Sequence, residues 1–353
     1  VKASVYLYDN RWPYAKRQQL RNASRIDYNL DLADWGRFQF ELPSQDATVH
    51  QGNLDGMLAG IVSDQGAPDF IGRVEAMHED GLATCTVIGR EWLAVLGDRT
   101  TEQAAVYTGS AGRAAMDIVR IANATLATGI EPRDVSGGAP LDGPYEPRAN
   151  SVFAALGELA ALSGDEYGRT YVCGQRAQCW LSWQSTVGYD LRNVCHVWDR
   201  SLVERRYELD RLNEAETVTV IGATGTYADR PSASVNAAGA RLAQVNYTVP
   251  LPPHVRSSIA ARQTQTDDAA ATDRAAAAAA ARALSVALGK NAETIIVTIS
   301  GNTDWGWFQL GNVVMIRIPR IRLGAGFVTP FRILGIQPDH ENGVIHLVGK
   351  VVI

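Results

Sequence analysis

The sequence predicts a β-rich α+β protein in three parts: a β domain over residues 1–98, an α+β insert over 99–200, and a second β domain over 201–353 that carries one long helix. Three observations predict it. Apolar and polar residues alternate through the first part, which is the period of a half-buried strand. The spacing then changes to three and four, the period of a helix, between residues 110 and 162. Alternation returns after about residue 201 and is broken by the alanine-rich run 267–289. A chain of 353 residues accommodates two or three domains at about 150 residues each.

In the first part, residues 28–43 hold two alternating runs, Tyr28-Leu30-Leu32 and Phe38-Phe40-Leu42, around a bend at Asp34-Trp35-Gly36. That is the pattern of a hairpin. Further strands are expected at 59–63, 70–78 and 82–88, the last two joined across Glu79-Asp80-Gly81. In the insert, Ala114, Ala115, Ile118, Val119, Ile121, Ala122 and Leu126 fall on one face of a helix with Ser110 as N-cap. A second helix is expected over 151–162, capped by Asn150 or Ser151, with Phe153, Leu156, Leu159 and Ala160 on its apolar stripe and Gly164 past its end. The Gly/Pro-rich stretch 129–148 between them reads as loop, and 169–173 with 178–183 as a hairpin.

Strands over 202–209 and 217–221 open the last part. Residues 267–289 give the strongest local helix signal: alanine has the best intrinsic propensity, Asp267 and Asp268 complement the N-terminal end, and Gly289 is a natural stop. The unbroken alanines 275–281 would let that helix lie close to a sheet or a neighbouring subunit. Four strands are expected after it, at 293–300, 313–318, 331–337 and 344–352. Their turns are Asn302-Thr303-Asp304, Gly311-Asn312 and Glu341-Asn342-Gly343, with Asn342-Gly343 a two-residue hairpin turn.

With 33 Lys+Arg against 38 Asp+Glu, a formal net charge of −5, the chain lacks the basic footprint of a dedicated nucleic-acid binder. No apolar run reaches the roughly 18 residues of a membrane helix. Charges and aromatics interrupt the amino terminus VKASVYLYDNRWPYAKR where a secretory signal would be apolar, so no signal peptide is expected. The four cysteines, Cys85, Cys173, Cys179 and Cys195, are too few for a disulfide framework. Buried free thiols are the expectation; the alternatives are a disulfide between Cys173 and Cys179, which bracket a turn, and a zinc set adding Cys195 and His196, for which the ligand spacing is wrong.

Catalytic signatures are missing. There is no G-x-S-x-G, no P-loop, no G-x-G-x-x-G after a strand and no H-E-x-x-H. The GSAG at 109–112 reads as helix capping rather than an anion site. His340 and His346, either side of the last turn, are expected at surface or edge positions rather than as a metal pair. Asp165-Glu166, Asp267-Asp268 and Asp339 with Glu341 read as loop solvation or capping rather than a glycosidase pair. Trp180 and Trp183 face opposite sides of a strand, whereas Trp305 and Trp307 share a face if extended; a glycan or protein contact there is weighed against packing beneath the loop. No catalytic, cofactor-binding or metal residue is expected, and no enzyme activity.

The order of elements carries a resemblance. The segment TVIGREWLAVLGDRT, residues 86–100, in which a strand runs into Gly-Arg, an apolar turn and a second Arg, resembles the element closing the first domain of siphophage tail hub proteins, the tail-associated or baseplate-hub family. The hairpin YNLDLADWGRFQFELP precedes it and a helical insert follows. Near the C-terminus, SSIAARQTQTDDAAATDRAAAAAAARALSVALG, ETIIVTISG, QLGNVVMIRIP and FRILGIQPDHENGVIHLVGKVV are similar to the family's polar segment and alanine-rich helix, strand, second strand and final hairpin. The resemblance implies that the two β domains are tail-tube-like barrels. It implies a homotrimer whose six such domains adapt a sixfold tail tube to a threefold tip.

The function implied is that of a structural virion protein at the tail tip, assembled in the bacterial cytoplasm. It would contact the tail tube protein, the distal tail protein, the tape measure protein and tip fibres or receptor-binding proteins. The mildly acidic balance suits a conduit through which genomic DNA slides without sequence-specific binding, because phosphate binding needs basic groups. The chain ends at Ile353, directly after its last strand, so no appended lytic or receptor-binding domain is expected. The alternatives are a distal tail ring or carbohydrate-binding tail protein, with Trp305 and Trp307 as contacts, and a cell-wall-degrading tail enzyme.

Overall fold

The computed structural model describes residues 2–50, 54–80, 83–101, 105–135, 138–141, 145, 147, 151–197, 202–210, 217–221, 227–231, 244–247, 292–300, 304–318 and 327–352. The alanine-rich helix expected over 267–289, with Asp267 and Asp268, lies outside them.

The first part contains strands β1 (Ala3–Tyr8), β2 (Lys16–Leu20), β3 (Ser24–Tyr28), β4 (Leu30–Asp31) and β5 (Arg37–Pro43), the short helix α1 (Ala47–His50), and β6 (Leu58–Ser63), β7 (Phe70–Asp80) and β8 (Thr84–Glu91). A 3-10 turn, Trp92–Leu96, follows with all five side chains buried. The middle part holds α2 (Ala111–Thr125), β9 (Ile130–Val135), α3 (Val152–Ser163), β10 (Glu166–Cys173), β11 (Ala177–Gln184) and β12 (His196–Val197). The last part holds β13 (Leu202–Asp210), β14 (Thr217–Ile221), β15 (Tyr227–Pro231), β16 (Gln244–Tyr247), β17 (Ala292–Ser300), β18 (Val313–Ile318), β19 (Phe327–Asp339) and β20 (Val344–Val351).

Both helices of the insert begin and end where their sequences say. Ser110 caps α2, its side chain accepting from the Arg113 N–H, and Ser151 caps α3, accepting from the Ala154 N–H. Gly164 ends α3 at a φ of 75°. The apolar faces of α2 and α3 pack on a small sheet of order β10-β11-β9. Here the loop reading of 129–148 fails in part, because residues 130–135 form β9 in parallel with β11. Pro132 is tolerated because β9 is an edge strand and the register shifts just beyond it, between Leu181 and Ser182 of β11.

Among the described residues, the strands of the first part join β12 of the middle part and β13 and β17–β20 of the last part in a 14-stranded sheet, whose main path runs β13-β17-β20-β19-β3-β5-β8-β7-β6-β1-β2, while β15-β14-β16 form a small sheet of their own. That path is open, so the two separate closed barrels expected from the resemblance are not formed by these strands. The reason lies in β19, which is 13 residues long. It pairs with β18 and β20 and then reaches β3 and β4 through Asp339↔Asp27, Gly335↔Asp31 and Ile336↔Leu30. The buried apolar side chains likewise form one cluster, running from Val5, Phe40 and Phe70 through Leu156 and Trp183 to Ile299 and Leu347.

Candidate functional site

No group of three or more metal-ligating side chains converges among the described residues. What the sequence does build is a set of polar joints where the three parts meet. Glu91, the last residue of β8, lies at a core-facing position and is fully buried. Its Oε1 accepts from Arg169 Nε at 2.8 Å and from the Tyr171 hydroxyl at 2.7 Å. Its Oε2 accepts from Arg169 Nη2 at 3.0 Å and from the Gly36 N–H at 2.5 Å. Arg169 and Tyr171 are two apart on β10 and so face the same way. Arg169 Nη2 also donates to the Asp34 carbonyl at 3.1 Å, which ties the β4–β5 turn, the end of β8 and the insert together.

The electrostatics of this joint are those of a locked pair. Burial works against the Arg169 charge, but the Glu91 carboxylate outweighs it and the guanidinium pKa rises. Burial, then Glu91, push the Tyr171 phenol well above its ordinary range, so it stays a donor. Trp92, next in sequence, adds an indole N–H bond of 2.9 Å to the Thr128 carbonyl and an edge-on contact with Tyr14.

A second joint links the insert to the last part. Arg332 of β19 donates to both oxygens of Glu166, with Nη1 2.9 Å from Oε1 and Nη2 on Oε2, and also to the Val187 carbonyl at 3.3 Å. Beside it two backbones cross at Gly188 (φ 91°) and Gly311 (φ 81°), where a Cβ on either would fall 2.2 Å from the other segment. Asn312 then accepts from the Tyr189 N–H at 2.8 Å and donates to the Trp307 carbonyl at 3.0 Å. A cleft of about 520 Å³ opens where the three parts meet, lined by Leu30, Asp69, Arg169, Tyr171, Val187 and Asn312 among others.

The residues singled out in the sequence serve these joints separately. Asp165 accepts from the Trp183 indole and the Ala139 N–H, both at 3.0 Å, while Glu166 holds Arg332. Asp339 accepts from the Asn342 backbone and side chain, closing a four-residue connection in place of the expected two-residue turn. Ser110 is a cap, as read. His346 Nδ1 lies 2.9 Å from the Thr298 hydroxyl, but His340, expected at the surface or an edge, is buried. Trp305 is fully buried and Trp307 is 43% exposed, so the two do not form a common surface. The short 3-10 turn Trp305–Trp307, capped by the Asp304 side chain, separates their directions.

All four cysteines are free thiols. Register places Cys173 opposite Ala177 and Cys179 opposite Tyr171, so the two are not cross-strand partners. Burial raises the Cys173 and Cys179 thiols and pushes Cys195 up to about 11, which keeps them protonated and poorly nucleophilic. Glu91 and Arg332 were not singled out in the sequence. The available signal for Glu91 was parity: in Cys85-Val87-Gly89-Glu91 a carboxylate occupies a position that the alternation assigns to the core.

No family model matches the sequence, and no curated protein does. Solved structures do match along nearly the whole chain. A 43 kDa tail protein of prophage MuSo2 from Shewanella oneidensis is 13% identical, with 98% of this chain and 97% of that one covered at a TM-score of 0.61. A prophage tail protein, gp18, from Listeria monocytogenes is 12% identical, with 98% and 94% covered at 0.57. An E. coli type VI secretion component described as structurally similar to T4 bacteriophage tail proteins gp27 and gp5 is 7% identical, with 100% of this chain and 75% of that one covered at 0.52. The chain therefore has the fold of phage tail proteins, in agreement with the resemblance carried by its order of elements.

Proposed function

We propose that this chain is a structural, non-enzymatic component of the tail of a phage or phage-like particle, and specifically the hub at the tail tip. The observation that carries the reading is the likeness to prophage tail proteins along 98% of the chain. The hub assignment draws on the likeness to the type VI secretion component that is structurally similar to T4 tail proteins gp27 and gp5. In this reading residues 1–98 and 201–353 supply the β framework and 99–200 the insert. Three copies assemble into a ring that joins the tail tube and distal tail proteins to tip fibres or receptor-binding proteins, with the tape measure protein and then DNA passing through.

The buried joints support a scaffold role, since a part that transmits load between tube and tip must keep its three segments in fixed relation. The net charge of −5 supports passage of DNA without adhesion. Light scattering on the purified chain, together with cross-linking in intact particles, tests the proposal. A trimer in either setting is expected; a hexamer in particles would replace the hub with a distal ring.

A further inference from the structure

We propose that the seam between the first and last β segments is an acid-sensitive joint, held closed by a neutral His340 and loosened when that imidazole takes up a proton. The proposal concerns the fold itself and stands whether or not the chain is a tail hub. His340 follows β19 and is 6% exposed. Its ring sits 5.9 Å from that of Tyr28 on β3 and 5.9 Å from that of Trp305, so it is packed between aromatic rings contributed by the two segments. Neither of its nitrogens has a hydrogen-bond partner among the described residues, and neither does the Trp305 indole nitrogen.

Three further bonds fasten the seam, one farther back along β19 and two nearer its end and Trp305. The Leu32 N–H donates to the Leu334 carbonyl at 2.8 Å and the Trp305 N–H to the Gln65 carbonyl at 3.0 Å. Gln337 Nε2 donates to Asp27 Oδ1 at 3.2 Å. An imidazolium here would place two unpartnered N–H donors and a charge between the Tyr28 and Trp305 rings, which is costly without an acceptor in direct contact.

The charged groups facing His340 are divided. Burial lowers its pKa, while Asp64 on the loop after β6, Asp339 on β19 and Asp27 on β3 act against it; the net direction is down. A histidine whose folded pKa lies below its unfolded value leaves the unfolded chain holding more protons. The stability it contributes is therefore fully present above the ordinary histidine range and is lost as the pH falls through that range toward the folded pKa.

Amide hydrogen exchange on the full chain, at about pH 7.5 and about pH 5 and corrected for intrinsic rates, tests this. Protection of the Leu32 and Trp305 amides is expected to fall about tenfold more than that of the β1 amides bonded to β6. The excess is expected to vanish in His340→Gln. An equal loss in the variant, or a uniform loss across the sheet, would overturn the proposal. Should the variant fail to fold, the wild-type His340 ring proton followed by NMR decides: a midpoint below the ordinary histidine value that tracks the loss of protection supports it, and one at or above that value refutes it.

Discussion

Glu91 shows how much one side chain decides in this molecule. A carboxylate at a core-facing strand position is tolerable only because four donors meet it: two from Arg169, one from Tyr171 and one from the Gly36 backbone. Removing one partner strands the other charge, so Glu91→Gln or Arg169→Met is expected to cost about 3–5 kcal/mol in urea unfolding. The double replacement Glu91→Leu with Arg169→Met is expected to recover part of that loss, because no charge is then left buried alone. Parity hinted at Glu91, but Arg169 sits on a strand 78 residues away and no local pattern names it as the partner. The same holds for His340, which packs against the Tyr28 ring of β3 and against Trp305.

Elements whose stability is set by near neighbours were the most legible. The caps of α2 and α3 fall on Ser110 and Ser151, because a hydroxyl one residue ahead of an apolar repeat meets an unpaired N–H within a turn. Ser151→Ala is accordingly expected to lower stability by about 1 kcal/mol, measured by thermal unfolding. The hairpin over 28–43 was half legible: β3 pairs with β5 at Tyr28↔Phe38, yet β4 turns away to pair with β19. Alternation marks Leu30 as inward and buried, which it is, but not which strand lies beside it. In residues 129–148 the prolines and glycines masked a strand that β11 recruits along its free edge. The crossing at Gly188 and Gly311 is set by two distant turns, and Gly311→Ala would meet the Val187 carbonyl as well as a left-handed backbone. The backbone alone accounts for about 1–2 kcal/mol, so a larger loss is expected by urea titration.

At the scale of the whole molecule, one sheet and one apolar cluster pass through parts that the sequence divides into three. That continuity explains why ionic joints lie where the parts meet: Glu91–Arg169 fixes the insert to the first part, and Glu166–Arg332 fixes it to the last. The two differ in environment, with side-chain exposures of 0% for Glu91 and 2% for Arg169 against 27% for Glu166 and 12% for Arg332. Arg332→Met is therefore expected to cost less than Arg169→Met in the same urea assay, since solvent compensates the stranded carboxylate in part. By itself the sequence determined the β-rich class, the helical insert with its caps, most of the described strands and the likeness to tail proteins, because strand and helix periods are written in residues two to four apart. Only the tertiary structure decided that β19 would join two regions into an open sheet, that Trp305 and His340 would be interior, and which charges would meet. Those outcomes rest on contacts between residues tens to hundreds of positions apart, whose energy comes from mutual burial and exists only once the chain has folded.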